Sequence, residues 1–210
     1  MNEFEQALIQ KIGAERLRKI QSVKIGIAGA GGLGSNCAVH LVRTGFKKFI
    51  LVDFDILDYS NLNRQYYFNR QVGRAKVDVL AENLLAINPD VTIEKLCRKL
   101  EEPDFAQVFV DCHVVVEAFD QAKYKKLLVE RFINTDKLLV CASGLAGFAS
   151  SDAIGIHQLR ERLFMIGDLK TGVGAETPPL APRVAVAAAK QADVILRYVL
   201  ADSAGEEMLC

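Results

Sequence analysis

Apolar and polar residues alternate along this chain in blocks whose period switches between that of a strand and that of a helix. Short apolar runs at 24–28, 49–52, 91–96, 114–117 and 138–142 read as buried strands. Between them, residues 32–43, 74–87, 104–109 and 122–132 carry apolar positions three and four apart and predict helices. Upstream, Phe4, Leu8, Ile12, Leu17 and Ile20 fall at roughly helical spacing, which predicts one or two N-terminal helices within residues 1–20. Such alternation predicts an α/β fold built on a doubly wound, mostly parallel, Rossmann-like sheet. After Ser143 the character changes. Small residues and glycines lead into alternating segments near 153–157 and 163–166, expected to form a short antiparallel extension of the sheet within residues 143–180. The turn-rich TGVGAETPPLAP, residues 171–182, breaks the pattern, and 181–200 resumes as a C-terminal helix with Lys190 and Arg197 expected on its wet side.

The junction between the first strand and the first interior helix narrows the reading. Residues 26–35 are GIAGAGGLGS, a strand running into a glycine turn, and about twenty residues further on the second strand ends on Asp53. In that context Gly29 permits the tight turn, Gly31, with Gly32 beside it, lets backbone amides approach an anionic phosphate, and Gly34 lets the helix pack close to the strand. The whole chain, 1–210, is therefore expected to be one nucleotide-binding domain.

Residues 52–78, VDFDILDYSNLNRQYYFNRQVGRAKVD, make a longer and more polar connection than a strand-to-helix link needs. Asp53 is placed to accept from ribose hydroxyls, with Asp55 close by, while Asn61, Arg64, Gln65 and Lys76 can point at phosphates. Each has a plainer reading: Asp53 as a strand cap, Arg64 and Lys76 as solvated surface charges. Their joint placement after a glycine turn favours the nucleotide. Tyr66, Tyr67 and Phe68 are expected to pack, or to receive a partner's extended tail.

Half of the 210 residues are apolar, enough for a buried core, and 26 basic residues balance 26 acidic ones. That balance gives no global electrostatic case for nucleic acid or a membrane surface. No apolar run reaches a membrane-spanning length and the start, MNEFEQALIQ, is polar, so a cytoplasmic protein is expected. Cys37, Cys97, Cys112, Cys141 and Cys210 lie far apart, which points to reduced thiols, an exposed one at Cys210, and no cysteine zinc site. His40, His113 and His157 do not cluster in sequence.

Several spaced segments together resemble one family. GAGGLGS, then DFDxxxxSNLNRQ, VGRAKVD with INP following, and an acidic residue ending the fourth strand in VVVEAFD look like the ThiF/MoeB/HesA proteins, relatives of the ubiquitin-activating enzymes. LAPRVAVAAAKQA resembles the family's closing helix. The resemblance implies that Gly29, Gly31 and Gly34 cradle the nucleotide, Asp53 holds the ribose, and Asn61, Arg64, Gln65 and Lys76 contact the triphosphate. It assigns Asp120 to magnesium beside the phosphates, though that residue would equally cap the helix starting near 122. It implies an adenylyltransferase using ATP and Mg2+ to activate the C-terminal glycine of a small ubiquitin-like, ThiS-like sulfur-carrier protein, with release of pyrophosphate. Arg64, Lys76 and Asp120 would carry the catalysis, in a homodimer.

Departures are equally visible. The family's N-terminal RYxRQ motif and its paired CxxC zinc ligands are absent, Gln121 replaces the usual asparagine, and residues 168–183 contain no cysteine. With these departures the chain resembles a short, zinc-free branch of that family associated with thiamine biosynthesis. The glycine turn and Asp53 also fit an NAD-dependent oxidoreductase, and the missing arginine motif fits a non-catalytic nucleotide-binding relative. An acceptor carboxylate on a modified tRNA base or a peptide C-terminus is a further option, and the neutral charge disfavours the RNA.

Overall fold

Runs of Val, Ile and Leu too apolar to leave either face in water become the central strands, and more polar segments the edge strands, of a computed structural model that describes residues 1–201. The strands are β1 (Lys24–Ala28), β2 (Lys48–Val52), β3 (Thr92–Leu96), β4 (Val114–Glu117), β5 (Leu138–Ala142), β6 (Gly155–Arg160) and β7 (Leu163–Gly167). The helices are α1 (Glu3–Ile12), α2 (Ala14–Ser22), α3 (Gly32–Arg43), α4 (Lys76–Ile87), α5 (Glu102–Val108), α6 (Ala122–Phe132) and α7 (Ala181–Leu200). The seven strands lie in the order β3-β2-β1-β4-β5-β7-β6. The chain winds outward from β1 through β2 to β3, then returns to the other side of β1 as β4, so the topological switch falls between β1 and β4.

The extension differs in one respect from its expectation. Only β6 is antiparallel; β7 joins β5 in parallel, from Leu139↔Leu163 to Ala142↔Ile166. The hairpin between β6 and β7 reverses the chain, so the second strand of the pair re-enters alongside β5 and leaves β6 at the edge. The helix predicted over 74–87 begins at Lys76 instead. Arg74 O accepts from Leu57 N at 2.8 Å and Ala75 bridges Ile56, which keeps both residues extended. The helix predicted over 104–109 starts two residues earlier, with Pro103 in its first turn and Glu101 closing a capping box with Asp104.

Each sheet face has its own core. Ile27, Phe49, Leu51, Val116, Val140 and Ile166 belong to a cluster that α3, α4 and α7 cover. On the other face Ile50, Val115, Leu139 and Cys141 meet Phe105 and Phe109 from the α5 segment and Leu128 and Phe132 of α6. Lys190 is not on a wet face as expected: it is part-buried and donates to Ile154 O. Cys37, Cys112 and Cys141 are buried, Cys97 is exposed, and all four are free thiols; Cys210 lies outside the described residues. Burial pushes the Cys112 thiol up to about 11 and raises Cys37 and Cys141 further. No helix among the described residues is long and apolar enough to cross a membrane.

Candidate functional site

The C-terminal ends of β1 to β5 open onto one crevice of about 780 Å³. The segments that line it leave successive strands: Gly29 to Leu33 after β1, Val52 to Asp55 after β2, Arg98 to Leu100 after β3, Ala118 to Gln121 after β4 and Ala142 to Ala146 after β5. Thr171, Gly172, Val173 and Pro179 close one side. A crevice of this kind, at a switch point and at strand C-termini, is where open α/β sheets bind ligands.

Backbone geometry explains two of the glycines. Gly29 has φ +107°, and a Cβ there would lie 2.6 Å from Ala118 O; a Cβ at Gly34 would collide with the Gly29 carbonyl. Gly31 faces open space, where a Cβ would meet only Gln65 Nε2 at 3.9 Å. The turn ends at the N-terminus of α3, whose first amides and dipole face the crevice. Tyr67 fixes it from behind: its buried hydroxyl donates to Ala30 O at 2.7 Å, and desolvation raises that phenol well above its ordinary range.

Asp53 does more than end a strand. Its carboxylate accepts from Ala30 N at 2.7 Å and from Asp55 N at 2.8 Å, which ties β2 to the glycine turn. Burial raises its pKa, against the lowering effect of those two amides and of Lys76.

The 52–78 connection folds as two short 3-10 turns, Tyr59–Asn61 and Asn69–Gln71. Asn36 of α3 pins it, donating to Gly32 O at 2.7 Å and Arg64 O at 2.9 Å, and Ser35 Oγ accepts from Tyr66 N. Arg64 therefore lines the crevice, its Nη1 donating to Asn63 Oδ1 at 2.8 Å. Desolvation lowers the Arg64 pKa, with the Asp120 carboxylate acting in the opposite sense. Lys76 opens α4 with its side chain 6% exposed, and its Nζ meets Asp55 Oδ2 at 2.6 Å.

Every residue expected at the site, from Gly29, Gly31 and Gly32 through Asp53, Asp55, Asn61, Arg64, Gln65 and Lys76 to Asp120, lines this one crevice, except Gly34, which packs behind it. Two behave differently from their expectations. Asn61 Oδ1 is turned back to accept from Asp58 N at 3.1 Å in a capping box. Asp120 does not cap α6; Gln121 occupies that position, without a side-chain bond. Gln65 lines the crevice with its Nε2 beside Gly31, while its Oε1 is buried and lacks a hydrogen-bond partner. Of the aromatic trio, Tyr67 is buried while Phe68 is 45% exposed and stacks edge-on with Tyr66.

Sequence reasoning passed over the far wall. There Lys125 lines the crevice and pairs with buried Glu117 at 2.9 Å; next to the lining residue Thr171, buried Arg183 pairs with part-buried Asp168 at 2.6 Å. Asp168 Oδ1 also accepts from Lys170 N and Thr171 N at 2.8 Å. Desolvation would raise this carboxyl, but the hydroxyl and amide of Thr171, the Lys170 amide and the Arg183 guanidinium outweigh it and hold the pKa at about 2. Among the described residues no group of three or more His, Cys, Asp or Glu side chains is placed to hold a metal ion.

A family profile described as "ThiF family" matches residues 4–204. Among curated proteins, SUMO-activating enzyme subunit 2 of Dictyostelium discoideum is 32% identical over 150 residues, 70% of this chain and 22% of that protein. The tRNA threonylcarbamoyladenosine dehydratase of Bacillus subtilis is 32% identical over 137 residues, 64% of this chain and 54% of that one. This chain thus spans between a fifth and about half of the length of these relatives. Among solved structures, the Escherichia coli tRNA N6-threonylcarbamoyladenosine dehydratase TcdA in complex with ATP superposes with a TM-score of 0.83 at 22% identity, covering 92% of each chain. The E. coli MccB structure with ATP gives 0.68 at 20% identity, over 88% of this chain and 57% of that one.

Proposed function

The chain belongs to the ThiF family, and from that premise we propose that it binds ATP in the crevice and adenylates a carboxylate, releasing pyrophosphate. The observation that carries the reading is the convergence of the glycine turn, Asp53, Arg64, Lys76 and Asp120 on one cavity at the sheet's switch point. ATP complexes of fold relatives support it.

In this reading the ribose lies by Asp53, and the triphosphate lies over the turn and the α3 N-terminus. An acceptor carboxylate oxygen attacks the α-phosphorus while the bond to the bridging oxygen breaks and pyrophosphate departs. Arg64 and Lys76 neutralise charge that builds on the leaving group, so catalysis is positioning and electrostatics without a protein nucleophile. Lys76 would exchange Asp55 for phosphate oxygens. Gln65 would turn its amide to the ligand. Asp120, which lines the crevice, would hold a magnesium ion that arrives with the nucleotide. Such an ion would add charge neutralisation on the phosphates.

For the acceptor we favour the Gly-Gly terminus of a small ubiquitin-like, ThiS-like sulfur carrier, in thiamine or related sulfur metabolism, with the enzyme acting as a cytoplasmic homodimer. The wall that carries Leu145, Thr171 and Val173 is short on side chains at Ser143, Gly144, Ala146 and Gly172, which suits a slender peptide end. A second reading places the carboxylate on a modified tRNA adenosine; it is favoured by the likeness to TcdA, which covers 92% of both chains. The test is ATP–pyrophosphate exchange with each acceptor in turn. Exchange dependent on a Gly-Gly carrier supports the first reading, exchange dependent on threonylcarbamoyladenosine-bearing tRNA replaces it with the second, and NADH binding without exchange in any arm overturns both.

A further inference from the structure

Parallel pairing between β4 and β5 runs from Val114↔Leu138 to Val116↔Val140 and stops there, one residue short of the end of β4. Beyond that point the strands part, and their ends carry opposite walls of the crevice: Ala118 to Gln121 on one side, Ala142 to Ala146 on the other. Side chains replace the missing ladder. Glu117, 1% exposed, accepts from Phe119 N at 2.7 Å, and the Ala142 amide also stabilises its charge. Lys125, reaching over from α6, donates to both Glu117 oxygens at 3.1 and 2.9 Å and to Ala142 O at 3.2 Å. From the opposite face of the sheet, Gln191 of α7 sends its Nε2 toward Glu117 O at 3.3 Å and Val140 O at 3.4 Å.

We propose that Glu117 and Lys125 are positioning residues that set the separation of the two walls, and so align the acceptor carboxylate with the α-phosphorus. The inference rests on the adenylylation reading for its chemical consequence, but not for its geometry. The three Lys125 donors are all engaged, so this ammonium is not a free counter-ion for substrate even though it borders the crevice. Glu117 likewise spends its acceptors on Lys125 and on two backbone amides, one from each wall. Through the Phe119 amide it fixes the turn that presents Asp120; through Ala142 it fixes the start of the facing loop. Ala118, next in sequence, donates to Ala28 O and crowds Gly29, so the same hub also sets the glycine turn. A misplacement of about 1 Å in such a frame can cost about 100-fold in rate.

The test separates frame from charge. Lys125→Met leaves a buried unpaired carboxylate and can unfold the protein, so the informative variant is the double Glu117→Gln with Lys125→Met, which removes both charges and keeps both shapes. Lys125→Arg is the conservative control. In the carrier-dependent exchange assay the double variant is expected to lose about 10- to 100-fold in kcat with the KM for ATP within about threefold of wild type, and Lys125→Arg to recover most of the rate. Amide hydrogen exchange, followed by mass spectrometry without any substrate, is expected to accelerate in residues 118–121 and 142–146 of the double variant only. A double variant with wild-type kcat, or with unchanged protection in both segments, overturns the proposal. Wild-type protein that exchanges with no acceptor overturns the adenylylation reading instead, and the protection measurement then still decides the positioning role.

Discussion

The near wall of the crevice, with the glycine turn, Arg64, Lys76 and Asp120, comes from residues 29–76 and 118–121, whereas the far wall is assembled from Lys125 and segments 142–146 and 171–184, with the Asp168–Arg183 pair beside them. On the near wall, polar side chains largely satisfy nearby backbone: Asp53 serves Asp55 and the turn, Asn61 closes a box with Asp58, and Arg64 meets Ser60 and Asn63. On the far wall they bridge distant segments, Lys125 to Ala142 and Arg183 to Ala149, Ser150 and Asp168. The near wall holds groups poised for a ligand, and the Asp55 partner of its buried Lys76 keeps access to solvent. The far wall holds charges that already have protein partners. Function should therefore be separable from stability on the first and inseparable from it on the second.

The largest effect is expected where that coupling is strongest. Asp168→Ala leaves Arg183, whose side chain is 3% exposed, buried without its carboxylate, at a cost of about 3–5 kcal/mol measured by urea denaturation. The pH dependence carries the sign. Because the folded Asp168 pKa is depressed to about 2, its contribution is present above the unfolded value, about 3.9, and is lost as pH falls through 2. The stability gap between wild type and variant should persist down to about pH 4.5 and narrow below that. A gap already closed at pH 6 would mean that the far wall is not held by this pair.

Next come the near-wall charges. Lys76→Met and Asp120→Ala are each expected to lower acceptor-dependent exchange by about 10²- to 10³-fold, the scale of losing one preorganised electrostatic contact. Neither should shift stability by more than about 1 kcal/mol, since the Asp55 partner of Lys76 is 46% exposed and can return to water. Loss of folding in both variants would erase the contrast between the walls.

The contrast also explains what could be read from the chain before its structure. Strand–helix alternation marked every strand to within a few residues, most clearly the central β2, β4 and β5, which are buried on both faces and so continuously apolar. The near-wall residues were visible because a glycine turn and the 52–78 loop are contiguous. The orientation of Asn61, the engagement of Lys76 with Asp55, and the parallel entry of β7 all depend on partners that periodicity does not reveal. Yet a trace of the far wall was present. Lys125 precedes Leu128 and Phe132 by three and seven residues, and Gln191 lies between Ala187, Ala188 and Ile195, so both are polar residues on buried helical stripes. A charge on an apolar stripe is costly unless paired, which makes it a signal of a long-range partner.

The smallest expected effect tests how self-sufficient the near wall is. Its glycine turn is held locally, by Asp53 and by the close approach of Gly34, and at longer range by the Tyr67 hydroxyl on Ala30 O. Tyr67→Phe deletes that bond while keeping the ring that fills the core. The loss in stability should be about 0.5–1.5 kcal/mol, that of one buried hydrogen bond. The same change should raise the KM for ATP severalfold with little change in kcat, because Ala30 sits in the cradle and not beside the reacting atoms. An unchanged KM would mean that Asp53 and the glycines define the turn unaided. A fall in kcat at constant KM would instead place Tyr67 with the residues that align the two walls.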